Sequence, residues 1–346
     1  MRDPANKHIP ALDGLRGAAC LMVLAFHFNA SLAPGGWIGV EIFFVLSGFL
    51  ITSRLLQPGW TYGSFMWRRA VRLWPALLVL CAVAATLGML GPSTWRPALF
   101  AATYVSTPAL FTELVGRDDY LGHTWSLAIE MHFYAAWALV MLRARSWPRS
   151  QVAVLALSLS VASYVAEMVV SFQSPQVAYF ATPTRLGAVL LCAAIAAWTP
   201  PEQVVARAAA LTAPIVALLA CVLVLFAPTV PSMMLAPVSV IAALGCVGVI
   251  VAPGTLGTRL LSARVMRWLG QRSYSLYLWH VPAFALVGHR VHAPHGLHGP
   301  VMWGVAFLCA DLSFRLVENP ARRRLTGLVD NHRGVRARHR LVITGR

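Results

Sequence analysis

Charged residues and paired cysteines are both scarce in this chain. Only 12% of its 346 residues are Asp, Glu, Lys or Arg, while 58% are hydrophobic. A chain with so few charges cannot build the polar surface of a water-soluble protein, which predicts a polytopic membrane protein instead. The cysteines stand singly in apolar runs, without C-x-x-C or His–Cys metal spacing, and are interpreted as small core residues. They are Cys20, Cys81, Cys192, Cys221, Cys246 and Cys309.

Three features typical of other membrane proteins are also missing. No stretch repeats with a period of about 20 to 50 residues. No inverted pair of spans is broken by Gly or Pro, a pattern that many transporters show. No small-residue cleavage site follows the first apolar run, so the first span is expected to act as the signal itself.

What remains is a series of apolar stretches of about 20 residues, the length that crosses a bilayer. They predict an all-α fold with ten transmembrane helices in residues 1–320, followed by a basic tail over 321–346. The segment 94–112 is broken by Pro97 and Pro108 and is predicted to be interfacial or re-entrant on the outer side. The ten predicted spans are 13–31, 37–56, 73–91, 124–142, 152–171, 180–199, 210–227, 233–252, 273–291 and 299–318.

Basic residues are distributed unevenly between the predicted loops. The chain has 28 Lys and Arg against 12 Asp and Glu, an excess that indicates nucleic-acid binding in soluble proteins and orientation in membrane proteins. With the N-terminus inside, all of the 28 lie in inner segments except Arg96, Arg117, Arg185 and Arg290. The positive-inside rule therefore predicts that both termini are cytoplasmic, with membrane lipid rather than nucleic acid as the partner.

The first span, LDGLRGAACLMVLAFHF, is almost wholly apolar but carries an arginine near its start and a histidine near its end. Arg16 and His27 are eleven residues apart, so on a helix they share one face and lie about 16 Å apart along the axis. Ionisable groups inside a membrane are costly and usually functional. The alternative is that Arg16 anchors the span and pairs with Asp13, while His27 only reaches outer water.

The inner loop after the second span, YGSFMWRRAVRLWP, concentrates arginines. Arg68 and Arg72 are spaced i,i+4, and Arg69 and Arg72 are spaced i,i+3, so on a helix their guanidinium groups converge as a multiply charged phosphate requires. The alternative is that they are positive-inside anchors.

Polar residues also recur along three other spans. Glu41 lies near the outer end of the second span and is either a site residue or a solvated residue at its rim. Gly48, further along the same span beside Ser47, would let a helix or ligand approach closely. Ser126, Glu130 and Tyr134 form an i,i+4,i+8 stripe in the fourth span. Glu130 is a site candidate, with a structural ion pair to Arg185 as its alternative.

The ninth span presents Ser273, Tyr277 and His280 on one face of the helix. His280 is either a second site residue or a histidine packed in an aromatic belt. None of these residues is expected to bind a metal.

Together these stretches resemble the acyltransferase-3 family of integral membrane acyltransferases, which modify envelope glycans, lipopolysaccharide, peptidoglycan, nodulation factors and macrolides. The matching pieces keep their order and spacing over nearly the whole chain. They are LDGLRGAACLMVLAFH, GVEIFFVLSGFLIT, RRAVRLWP, HTWSLAIEMHFY and SYSLYLWH.

The resemblance implies a ten-span fold with both termini in the cytoplasm. It implies that His27 is the catalytic residue and that Arg16, Arg69 and Arg72 serve the acyl donor. The sequence differs from the family at Glu41, where Asp is more frequent, and at Met131, where a second acid is frequent. Some relatives carry an outer SGNH-type hydrolase domain, for which no room is expected here, so this chain or a separate outer-side protein would complete the transfer.

The predicted function is transfer of an acyl group, most simply acetyl, from acyl-CoA to a hydroxyl of a sugar in an envelope glycan, glycolipid or macrolide-type metabolite. His27 and Glu130 are the predicted catalytic residues, with the carboxylate orienting the imidazole. Arg16, Arg68, Arg69 and Arg72 are the predicted donor-binding residues. The remaining candidates, predicted to bind the acceptor, are Glu41, Ser126, Tyr134, Arg185, Tyr277 and His280. The alternative is a proton-coupled transporter of a lipid-linked or anionic solute in the same cytoplasmic membrane.

Overall fold

The structure is a computed structural model that describes residues 9–87, 96–105, 120–198, 235–252, 254–290 and 297–325. Within these ranges all regular structure is helical. We number the helices α1 to α12 in chain order. They are α1 (Pro10–Phe28), α2 (Ile38–Leu55), α3 (Tyr62–Thr86), α4 (Arg96–Thr103), α5 (Trp125–Arg143), α6 (Arg149–Gln173), α7 (Pro175–Phe180), α8 (Thr182–Ala197), α9 (Leu235–Val251), α10 (Leu256–Leu261), α11 (Arg264–Arg290) and α12 (His298–Ser313).

Six helices among the described residues are long and apolar enough to cross a membrane. They are Pro10–Phe28, Ile38–Leu55, Tyr62–Thr86, Gly122–Arg143, Arg149–Gln173 and His298–Leu325. Two further predicted spans, 180–199 and 233–252, coincide with the shorter apolar helices α8 and α9. The membrane character of the chain is therefore supported, while the count of ten and the orientation of the termini stay predictions.

Three other predicted segments either have different bounds in the structure or lie partly or wholly outside the described residues. The span 273–291 belongs to α11, a 27-residue helix that begins at Arg264 and is not among the six. The segment 94–112 contains the eight-residue helix α4, and its part from 106 onward lies outside the described residues, as does the span 210–227.

The boundary predicted at residue 320 falls inside a helix. After α12 the chain forms a π-helical turn over Phe314–Glu318 and stays helical to Leu325. Residues 321–325 are thus helical and continuous with the last helix, while the division of the chain at residue 320 stays a prediction. The rest of the predicted tail, 326–346, lies outside the described residues.

Local sequence explains where several helices begin. Pro10 occupies the first turn of α1, where its missing N–H costs nothing. Thr61 and Ser64 form a reciprocal capping box at the start of α3, the helix that carries the arginine pair.

Glycines allow the helices that build the site to pack closely. A Cβ added to Gly14 of α1 would lie 1.8 Å from the carbonyl oxygen of Leu261, and one added to Gly270 of α11 would lie 1.7 Å from that of Asp13. The predicted close approach at Gly48 is confirmed, because a Cβ there would lie 1.9 Å from the carbonyl oxygen of Val189 in α8. Backbones therefore meet directly where α1 packs against α11 and α2 packs against α8.

The core and the lipid-facing surface separate clearly. Phe44, Leu77 and Leu278 are fully buried in the main cluster. By contrast, α6 exposes a run of large apolar side chains, among them Val161 and Phe172. An apolar face of this size is typical of contact with lipid.

Candidate functional site

A cavity of about 450 Å³ lies between α1, α2, α3, α5 and α11. Its volume is within the range of about 300 to 1,000 Å³ that is typical of small-molecule sites. At one end it is lined by Asp13, Arg16 and Arg54, near the start of α1 and the end of α2. We call this the arginine end. At the other, the tyrosine end, it is lined by Phe43 and Tyr277.

Four arginines line the cavity against two carboxylates, so its lining is net positive. Arg16 pairs loosely with Asp13, at 3.5 Å. Arg69 and Arg72 have no carboxylate within 4.0 Å among the described residues, which leaves their charge available to an anionic ligand. Arg54, which sequence reasoning did not select, is the fourth; the residues are Arg16, Arg54, Arg69 and Arg72.

Two of the three arginines of α3 line the cavity. They are Arg69 and Arg72, three residues apart, whereas Arg68 does not line it. The Arg69 guanidinium lies over the rings of Phe65 and Tyr134, at 5.5 and 5.6 Å from their centroids. These contacts hold it in place, while its Nε has no hydrogen-bond partner among the described residues.

Glu130 lies in the middle of the cavity lining. One of its carboxylate oxygens accepts a 2.6 Å hydrogen bond from the Ser47 hydroxyl, and the other accepts a 2.9 Å bond from the Tyr134 hydroxyl. Tyr134 and Glu130 are one helical turn apart on α5, as the polar stripe predicts. Glu130 therefore contacts α2 rather than His27 or Arg185.

A directed chain of hydrogen bonds closes the tyrosine end. The Tyr277 hydroxyl donates to the backbone carbonyl of His123 at 2.7 Å, so the Ser126 hydroxyl must be the donor in its 2.7 Å bond to Tyr277. The Tyr277 ring also contacts the His280 ring, with centroids 5.5 Å apart. Tyr277 thus stands between the cavity and a cluster of histidines.

His27 belongs to this cluster and not to the cavity lining. Its ring is exposed and lies 4.9 Å from that of His280, centroid to centroid. Nδ1 lies 2.9 Å from the carbonyl oxygen of Val23, one turn earlier on α1. Because a carbonyl only accepts, Nδ1 carries the proton in the neutral ring and Nε2 keeps its lone pair. A backbone carbonyl, rather than the predicted carboxylate, therefore fixes the tautomer.

Glu41 and Arg185 form a separate buried ion pair away from the cavity lining. Ser239 of α9 donates a 2.8 Å hydrogen bond to the second oxygen of Glu41. The Arg185 guanidinium lies over the rings of Trp125 and Tyr179. The pair joins α2, α8 and α9, which is an arrangement typical of a structural contact.

Three residues of this region were missed or underestimated from the sequence. Arg54 resembles an ordinary end-of-span anchor, and Ser47 was noted only beside Gly48. His123 opens the HTWS stretch, but nothing in its local spacing shows that it meets His280, 157 residues later, with ring centroids 5.1 Å apart. Among the described residues, no group of His, Cys, Asp or Glu has the arrangement to hold a metal ion.

Comparison with known families gives one match over most of the chain. The family model Acyl_transf_3, described as an acyltransferase domain, matches residues 9–311. That range contains the cavity and the histidine cluster. No solved structure matches significantly.

Two curated relatives are similar along almost the whole chain. Peptidoglycan O-acetyltransferase OatA of Listeria monocytogenes is 30% identical over 383 residues, covering 98% of this chain and 59% of that protein. O-acetyltransferase OatA of Staphylococcus aureus is 30% identical over 360 residues, covering 92% of this chain and 58% of that protein. This chain therefore spans somewhat more than half the length of the relatives it matches.

Proposed function

Since this chain belongs to the Acyl_transf_3 acyltransferase family, we propose that it is a membrane-embedded O-acyltransferase. The observation that carries the proposal is the continuity of the site. An arginine-lined cavity leads to Tyr277, and Tyr277 contacts a histidine cluster that contains the exposed His27. An anionic donor can thus bind in the cavity, while His27 acts as a base on an acceptor next to it.

The donor we propose is an acyl-CoA, with acetyl as the acyl group. Guanidinium groups bind phosphates by paired, charge-assisted hydrogen bonds, and Arg16, Arg69 and Arg72 present three of them to the cavity. The pantetheine arm would then extend along α1 and α2, past Ser47 and Glu130, toward the tyrosine end. Glu130 holds Ser47 and Tyr134 in position along that path.

The acceptor we propose is a sugar hydroxyl of an envelope glycan. The names of the relatives support this class, since the Listeria protein is named for peptidoglycan. Peptidoglycan is therefore the first acceptor to test, followed by glycolipids and macrolide-type metabolites. If the protein lies in the cytoplasmic membrane, the donor can arrive from the inside and the glycan from the outside. A separate protein on the outer side would be an optional partner.

His27 is the proposed general base. Its Nε2 lone pair would take the proton of the acceptor hydroxyl as the hydroxyl oxygen attacks the thioester carbonyl. Nδ1–H, held by the Val23 carbonyl, keeps the ring in the tautomer that this step needs. When the carbon–sulfur bond breaks, the proton passes to the thiolate, so the enzyme returns to its starting state.

The test is acyl transfer by purified protein in lipid nanodiscs. Acetyl-CoA labelled in the acetyl group is supplied with peptidoglycan fragments, a glycolipid or no acceptor, and labelled products are identified by mass spectrometry. Ester formation on a sugar hydroxyl is expected. Proteoliposomes that take up solute, with no transfer to any acceptor, would instead support the transporter alternative, which the named activities of the relatives disfavour.

A further inference from the structure

Three histidines from three parts of the chain meet beside the tyrosine end of the cavity. His27 comes from α1, His123 from the turn before α5, and His280 from α11. The His280 ring lies between the other two, with centroid distances of 4.9 Å to His27 and 5.1 Å to His123. His27 is exposed, whereas His123 and His280 are 5% and 0% exposed.

Each imidazole is held by a backbone carbonyl that fixes its proton. His280 Nδ1 lies 2.7 Å from the carbonyl oxygen of Tyr277, and His123 Nε2 lies 3.1 Å from that of Leu278. Both nitrogens must therefore carry hydrogen in the neutral rings. The opposite nitrogens, His280 Nε2 and His123 Nδ1, are buried and have no hydrogen-bond partner in the part of the chain that the structure describes. Leaving two buried lone pairs unsatisfied is costly, so these positions call for an explanation.

Pro282 leaves free the Leu278 carbonyl that holds His123. In a helix the Leu278 carbonyl would accept from the backbone N–H of residue 282, but proline has no N–H. The oxygen freed in this way is the one that His123 Nε2 contacts across 155 residues of sequence. A helix-breaking residue inside α11 thus sets the tautomer of a histidine in another part of the fold.

No charged side chain contacts the cluster among the described residues. The remaining ring neighbours are Phe26 at His27, Phe284 at His280, and Tyr277, which contacts both His123 and His280. A proton taken up by His27 would therefore find no carboxylate to stabilise it. Among the described residues, the unused acceptors on these rings are the two buried lone pairs, on rings whose centroids are 5.1 Å apart.

On the premise of the proposed function, we infer that His280 and His123 share the proton that His27 removes from the acceptor. The acceptor O–H bond breaks and its proton moves to His27 Nε2 while the new O–C bond forms. His280 Nε2 accepts this proton from His27, and the resulting Nε2–H donates to His123 Nδ1. As the carbon–sulfur bond breaks, the proton returns through His27 to the thiolate, and all three rings end neutral. His280 and His123 act through His27 and are therefore positioning residues.

The decisive comparison is His280→Gln against His280→Phe in the transfer assay. Glutamine keeps an oxygen that can accept from protonated His27, whereas phenylalanine keeps only the aromatic packing. We expect His280→Phe to lower kcat by at least about tenfold, below the usual range of about 10² to 10⁴ for a direct base because His27 remains. His280→Gln should retain several times more activity than His280→Phe, and KM for acetyl-CoA should stay near the wild-type value in both. Equal activities, or a more active phenylalanine variant, would show that His280 only packs, and so overturn the inference.

His132 supplies the matched control for this comparison. It is a partly buried histidine on α5, bonded through Nδ1 to the Thr182 hydroxyl at 2.9 Å and outside the cluster. His132→Gln and His132→Phe should leave kcat unchanged. If they reproduced the His280 pattern, the effect would be general to histidine replacement and the inference would fail.

A spectroscopic test does not depend on turnover. In ¹⁵N-histidine NMR of the purified protein, His123 should be the Nε2–H tautomer, and His27 and His280 the Nδ1–H tautomer. Pro282→Ala restores an N–H that competes for the Leu278 carbonyl, so it should shift the His123 signals. Pro75→Ala, at the proline inside α3, should not. An Nε2–H tautomer on His280, or no His123 shift in Pro282→Ala, would contradict the arrangement.

The failure of the two proposals would look different. If wild-type protein transfers no acyl group, the proposed function fails whatever the NMR spectra show. If wild-type protein transfers acetyl but His280→Phe equals His280→Gln, only the role of the histidine pair is lost.

Discussion

Removing Arg69 and Arg72 together should abolish tight binding of the donor while leaving the fold intact. Both guanidinium groups line the cavity, and neither has a carboxylate within 4.0 Å among the described residues. Their removal therefore leaves no buried acid without its ion-pair partner, and the loss reflects the ligand. A hydrogen bond to a charged group contributes about 1.5 to 3 kcal/mol, so two arginines together contribute about 3 to 6 kcal/mol. At about 1.4 kcal/mol for each factor of ten, the double alanine variant should bind CoA roughly 10² to 10⁴ times more weakly.

The assay is isothermal titration of CoA into protein in nanodiscs, alongside a thermal unfolding curve. Arg143→Ala is the matched control, because Arg143 is an exposed arginine at the end of α5 and does not line the cavity. Arg69→Lys separates charge from geometry, since it keeps the cation and loses the planar fork. Unchanged CoA affinity in a well-folded double variant would refute the reasoning and return both residues to the role of membrane anchors.

Three further results are expected. Glu130→Gln should lower kcat by about tenfold without unfolding the protein, because two charge-assisted hydrogen bonds from Ser47 and Tyr134 become neutral ones; an unaltered rate would remove Glu130 from the site. Gly48→Ala should destabilise the protein by about 1 to 3 kcal/mol in a denaturation series, since its Cβ would lie 1.9 Å from the Val189 carbonyl oxygen; wild-type stability would show that α2 and α8 are not in that contact. A cysteine placed at Ser146 should resist an impermeant thiol reagent added to intact cells, because the charge distribution predicts a cytoplasmic loop there; labelling from outside would reverse the topology.

Features repeated along one helix were predictable from the sequence. The spacing of Arg69 and Arg72 places them on one face, and the structure brings both to the cavity. Arg68 does not line the cavity; because it lies only about 40° from Arg72 around the helix, spacing alone could not distinguish it from Arg69, and its role in donor binding stays a prediction. The stripe of Ser126, Glu130 and Tyr134 on α5 also lines the cavity.

Contacts between distant segments were not predictable in the same way. Glu130 bonds to Ser47, 83 residues away, because α2 and α5 pack together, and no local pattern specifies that pairing. Arg185 pairs with Glu41 rather than Glu130 for the same reason. His123 contacts the Leu278 carbonyl, which is free because Pro282 has no N–H to donate to it. The sequence shows the proline, but only the fold shows that His123 reaches this carbonyl.

Transmembrane spans were predicted well where hydropathy is continuous and poorly where charge interrupts it. The predicted span 273–291 starts nine residues after α11 does, since α11 begins with a basic turn that no hydropathy rule would include. The last helix continues beyond the predicted end, through a π-helical turn that contains charged residues. One of them, Glu318, is buried and accepts a 2.9 Å hydrogen bond from Ser275.

The central claim is that donor binding and acyl transfer depend on different residues of one continuous site. Its most direct test is the His27→Ala variant, measured for CoA affinity by titration and for acetyl transfer in the same preparation. Because His27 lies outside the arginine-lined cavity, CoA affinity should stay within about twofold of wild type, while transfer should fall by at least about 10²-fold, the lower limit for loss of a general base. A His27→Ala variant that turns over at a near-normal rate, or that loses CoA binding together with transfer, would contradict the account.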